Sequence, residues 1–154
     1  MHFYISISVS IILINFFLLG KTLKSKDSDA RNLATCIFGI LWRQIGIAMV
    51  TIISSQDNSN DQLLTLFSRV SFGGAFVMNW ALLKFGQDLF LKKKFNFSIK
   101  DKIILICGIV IMTTPLVLKE NTSSIAGRYQ AEYGVGYYPV GIWMIGVFAL
   151  TIYR

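Results

Sequence analysis

The run LATCIFGILWRQIGIAMVTII, residues 33–53, decides the reading of this chain, because 21 consecutive positions carry a single charge, Arg43. A helix rising about 1.5 Å per residue makes that run about 31 Å long, the hydrocarbon thickness of a bilayer. Four more apolar stretches of similar length lie to either side: Phe3 to Leu19, Leu63 to Leu83, Ile103 to Leu118, and Tyr137 to Tyr153. Backbone polar groups in lipid must pair internally, which leaves helices or a closed barrel. A barrel requires alternating polarity over many short strands, whereas these runs are continuously apolar. The expected fold is all-α, a polytopic membrane bundle of five transmembrane helices forming one domain over residues 1–154.

Charge in the connections sets the orientation. Lys21, Lys24, Lys26 and Arg31 lie after the first run, and Lys92, Lys93, Lys94, Lys100 and Lys102 after the third. The connection Ser54 to Gln62 has no basic residue, and Lys119 to Gly136 has only Lys119 and Arg128. By the positive-inside rule the N-terminus lies outside and Arg154 inside. The first run has no basic segment before it and no small-residue cleavage site after it, so it reads as a retained helix rather than a signal peptide.

With 54% hydrophobic and 15% charged residues, the composition excludes a soluble globule and a disordered chain. The net charge of +7 is divided between two short inner connections, as orientation requires, so nucleic acid is not an expected partner. The expected location is a bacterial inner membrane or an organelle inner membrane.

The residues that carry chemistry are sparse. The one histidine, His2, stands at the outer end of the first run, and no cluster of ligating residues predicts a metal or a cofactor. Asp27, Asp29, Asp57, Asp61, Asp88, Asp101, Glu120 and Glu132 all fall in connections or at the ends of runs, so no acid pair stands at membrane depth and no catalytic residue is predicted. Cys36 and Cys107 read as small apolar residues at similar shallow depth. Ser71-Phe72-Gly73-Gly74 lacks the Lys-Ser/Thr of a phosphate loop and reads as a place of close helix approach.

Polar residues within the runs are the candidate ligand-binding residues. Arg43, the eleventh residue of its run, stands near the midplane, where an arginine costs roughly 2.5–3.5 kcal/mol. It shares helical spacing with Cys36, Gly39, Gly46 and Val50, a small-residue face expected to pack on Gly73 and Gly74 of the third helix. Arg69 shares a face with Gly73, Phe76 and Trp80. The candidate set is Arg43, Arg69, Asn15, Trp42 and Trp80, with Asn15 placed to bond Arg43 and with Asp61, Glu120 or Glu132 placed to reach Arg69. Expected partners are membrane lipids, other membrane subunits or a homodimer partner, and a small anionic ligand. Pro115 ends or kinks the fourth helix, and Tyr133, Tyr137 and Tyr138 form an interfacial belt beside an outer loop long enough to carry function.

Leu41-Trp42 in the second run, Arg69-Val70-Ser71-Phe72 early in the third, Phe85 near its end, the basic connection and Tyr133-Gly134-Val135-Gly136-Tyr137-Tyr138 occur in that order over essentially the whole chain. This order resembles the N-terminal seven-helix sensor region of membrane histidine kinases. Members of that family continue into two more helices and a kinase module. No residue here matches a phosphoacceptor histidine or a nucleotide-binding motif, so the resemblance implies sensing without catalysis, the outer half receiving a signal and the inner end transmitting it. The alternative class is a small accessory subunit that braces a larger membrane complex. A transporter or channel half is weakened by the lack of intramembrane acids.

Overall fold

The computed structural model describes residues 2–26, 28–55, 60–91, 98–123 and 129–153. The elements are α1 (His2–Leu23), α2 (Ser28–Ser54), α3 (Asp61–Leu91), α4 (Ile99–Met112), β1 (Leu118–Ser123), β2 (Tyr129–Tyr133) and α5 (Tyr137–Tyr153). A helix stands where each apolar run predicted one. Three of them, α1, α2 and α3, are long and apolar enough to cross a membrane. At 14 and 17 residues, α4 and α5 are shorter than the roughly 20 residues a perpendicular crossing needs.

The connection between α4 and α5 departs from the all-α expectation. Strands β1 and β2 form an antiparallel hairpin pairing Leu118 with Tyr133 and Asn121 with Ala131. Its second strand runs into a tight turn in which Gly134 N–H donates to Val117 O at 3.0 Å and Gly136 N–H to Leu116 O at 2.8 Å. A Cβ on Gly134 would stand 2.1 Å from Leu116 O, so only glycine fits this approach. The fourth helix ends sooner than its apolar run, at Met112, because the residue before Pro115 is pushed out of helical backbone and Thr113 already serves as the C-cap. The backbone from Thr113 to Val117 is irregular; Val117 is fully buried, whereas Pro115 and Leu116 are exposed.

The axis of the bundle is α3, which packs against α2, α4, α5 and β1. Asn60 caps its start, its side-chain oxygen accepting from Gln62 N–H at 3.0 Å and Leu63 N–H at 3.2 Å. Against α2 the contact is backbone to backbone. A Cβ on Gly74 would meet Arg43 N at 2.4 Å, one on Gly39 would meet Met78 N at 2.5 Å, and one on Gly46 would meet Ser71 at 2.8 Å. The expected small-residue seam therefore exists, with one change: Gly73 turns away from it, toward Thr113 at 3.2 Å and the Trp42 ring at 3.4 Å. On the other side, the Phe76 ring lies over Gly108 of α4 and stacks on Trp143 of α5 with centroids 5.4 Å apart. Cys36, Trp80, Ala81 and Met112 complete this core.

Large apolar side chains also cover the outside. Phe16, Phe17, Ile106, Ile142 and Ile145 are each more than 60% exposed, and none of the α1 segment is buried. Large apolar side chains exposed in such number are unusual on a water-soluble monomer.

The seam makes a ranking. Gly74→Ala lowers stability by about 1–3 kcal/mol through overpacking against the Arg43 backbone, whereas Gly73→Ala, facing side chains that can shift, costs less. Thermal unfolding of the two variants in detergent checks the order, and equal melting temperatures would show that α2 and α3 are not in backbone contact.

Candidate functional site

The five candidate residues do not converge. Asn15 turns back on its own helix, donating to Ile11 O at 2.8 Å, and among the described residues it makes no bond to Arg43. Trp42 packs edge-on to Phe38 and over Gly73. Trp80 is buried in the core and lines a cavity of about 320 Å³ with Leu83, Lys84, Asp101, Ile104 and Trp143. Arg43 and Arg69 line two further, separate hollows.

Arg69 lines a pocket at the start of α3, and its partners are backbone. Its Nε donates to Leu118 O at 2.7 Å and its Nη2 to Lys119 O. Both carbonyls open strand β1, so one guanidinium fork on α3 holds the root of the hairpin. The expected carboxylate partners are not used this way. Glu132 pairs with Lys119 at 3.3 Å, and Glu120 stands opposite Glu132 in the hairpin register. Asp61 sits in the first turn of α3, where the helix dipole favours a negative charge. Its Oδ1 is buried and, among the described residues, has no hydrogen-bond partner. Asp61, Gln62, Thr65, Leu66, Arg69, Lys119 and Glu120 enclose a pocket of about 410 Å³.

The roof of this region is aromatic. Tyr133 stacks on Tyr137 with centroids 3.8 Å apart, and Tyr137 meets Phe72 of α3 edge-on at 6.3 Å. Burial, then the neighbouring Tyr137, pushes the Tyr133 hydroxyl above its ordinary pKa. The tyrosine belt thus ties the hairpin and α5 to α3.

Arg43 lines a different hollow, a groove of about 520 Å³ with Ala75, Met78, Asn79, Met144, Ile145 and Ala149. Its Cα packs on Gly74 while its side chain is exposed in the groove, with no hydrogen bond or ion pair among the described residues. Asn79, 5% exposed, forms part of the floor and donates to Ala75 O at 2.8 Å and to Met144 Sδ at 3.4 Å. Its signal in the sequence is an amide in the middle of an apolar run, and its burial against the groove is visible only in the fold.

At the other end of α3, Lys84 pairs with Asp101 of α4 at 3.6 Å. Asp101 also closes a capping box, accepting from Ser98 N–H at 3.0 Å and from the Ser98 hydroxyl at 2.7 Å. Burial alone would raise the Asp101 carboxyl. The Ser98 hydrogen bonds and the Lys84 charge outweigh it and hold the group below the ordinary carboxylate range. Among the described residues no group of His, Cys, Asp and Glu is arranged to hold a metal ion. The basic cluster Lys92, Lys93, Lys94 and the outer Arg128 lie outside the described residues.

Comparison with protein-family profiles, with characterised proteins and with solved structures found no match to this chain.

Because the folded Asp101 carboxyl titrates below its unfolded value, its contribution to stability is complete above the unfolded pKa of about 3.9 and is lost as pH falls through the lowered folded value. Asp101→Asn should melt below the wild type at neutral pH, with the gap closing in strong acid. A gap that persisted unchanged into strong acid would mean that Asp101 acts through packing rather than through its charge.

Proposed function

We propose that this chain is an integral membrane domain that receives a signal at its outer face and passes it inward, with no catalysis of its own. All five helices cross the bilayer, the N-terminus and the hairpin lie outside, and the end of α5 lies inside. The apolar girdle on α1, α4 and α5 supports the membrane setting, and the uneven distribution of lysine and arginine supports the orientation.

The observation that carries the reading is the Arg69 fork. It fastens the first two carbonyls of β1 to the helix that packs against α2, α4 and α5. A small polar molecule in the pocket that Arg69 lines lies beside the Asp61 carboxylate, so it needs N–H or O–H donors, and it sits against the root of β1. A shift of that strand pulls on α3 through Arg69. Lys84 lies 15 residues further along the same helix, about 22 Å away, and there contacts α4. An outer receiving half and an inner transmitting end are also what the likeness to histidine-kinase sensor regions implies.

A second reading, an accessory subunit of a larger membrane complex, is favoured by α5, where Gly141 and Gly146 have nothing within 4 Å. The two readings diverge in their sensitive residues. Protein purified in native-lipid nanodiscs should release a donor-bearing small molecule on denaturation, detected by mass spectrometry and reduced about tenfold or more in Asp61→Asn, which weakens the charge-assisted bond. If wild type, Asp61→Asn and Arg69→Leu release the same molecules while Gly141→Leu prevents assembly into a larger complex, the accessory reading replaces the sensor.

A further inference from the structure

We propose that the groove between α2 and α5 is the seat of a transmembrane helix from a different protein, one that places an aspartate or glutamate against Arg43. This goes beyond the outer signal site and rests on other residues. The floor is α3, through Ala75, Met78 and Asn79, and the walls are Arg43 on one side and Ile145 and Ala149 on the other. Gly141 stands one helical repeat before Ile145 and also faces open space, so the α5 wall is lined by glycine, isoleucine and alanine at four-residue spacing. Small residues let a helix backbone come close, and Met78 and Met144 adapt to its side chains.

The charge selects the occupant. Arg43 lies ten residues, about 15 Å, from Leu33 at the start of its apolar run, and so at the middle of the hydrocarbon. It is exposed in the groove and, among the described residues, has no partner. Lipid acyl chains satisfy the apolar walls but hold their charge at the headgroup level, a half-thickness away. A second copy of this chain offers no acid at that depth, since all eight of its carboxylates lie in connections or at helix ends. A carboxylate carried on a partner helix reaches the guanidinium at its own depth and forms a bidentate pair, strong where water is excluded.

The test is photocrosslinking in native membranes with p-benzoylphenylalanine at Ile145, a groove wall that is 71% exposed, and at Phe17 on α1, 73% exposed, as the control site. Position 145 should yield a protein adduct that position 17 does not. The crosslinked peptide should be a transmembrane segment containing Asp or Glu. The adduct should fall about tenfold or more in Arg43→Leu and be retained in Arg43→Lys. Arg43→Asp should lose it, and exchanging the partner's acid for arginine should bring it back. Adducts to lipid only, a segment with no acid, no adduct, or an adduct indifferent to Arg43→Leu would each overturn the proposal. Melting of each variant in detergent, expected to match wild type because the Arg43 side chain is exposed, separates loss of partner from loss of fold.

Discussion

The backbone contact between α2 and α3 is the constraint on which the rest of the structure depends. Gly39, Gly46 and Gly74 bring the two helices so close that a single added carbon would enter the other's main chain. Dispersion between close-packed backbones replaces the hydrophobic drive that lipid removes. With that pair fixed, α3 presents its remaining faces to everything else: Phe76 to α4 and α5, Asn79 to α5, Arg69 to the hairpin. The same contact positions Arg43, whose Cα is trapped against Gly74 and whose side chain has only the groove to enter.

Polar groups on α2 and α3 then divide by how they are satisfied. Arg69 is bonded to carbonyls, Asn79 to its own helix and a thioether, and Lys84 to a carboxylate already engaged in a cap. These serve as ties. The Asp61 Oδ1 atom and the Arg43 guanidinium stand without partners among the described residues, and they lie in separate hollows near different parts of the bundle. A polar group kept without a partner away from water is destabilising, so its presence points to something that binds. The proposed small-molecule pocket and the proposed helix groove thus rest on separate residues.

Much of this was legible in the sequence, for reasons that differ by element. Continuous apolar runs located all five helices, because length and hydropathy are properties of a segment alone. Gly39 and Gly46 marked the seam for the same reason, while the choice between Gly73 and Gly74 required the rotation of α3 about its axis. The hairpin was not legible. Tyr129 to Tyr133 alternates apolar and polar residues, but Leu118 to Ser123 is polar after its first residue and closes an apolar run, and what holds its root is Arg69, some 50 residues earlier in the chain. Backbone carbonyls have no signature in sequence, so an arginine that pairs with them looks like one in search of an acid. Asn79 escaped for a simpler reason: its amide can satisfy itself within the helix, and only burial reveals that it faces a groove.

Everything proposed for the pocket and the groove requires the hairpin and the N-terminal end of α3 to share the outer side of a membrane. Single-cysteine labelling in a background lacking Cys36 and Cys107 measures this directly in intact cells or right-side-out vesicles. A cysteine replacing Val135, 82% exposed in the turn after the hairpin, should react with an impermeant maleimide added outside, and one replacing Lys100 should react only after the membrane is opened. Labelling of position 100 from outside, with position 135 protected, would contradict that placement and the signal path built on it.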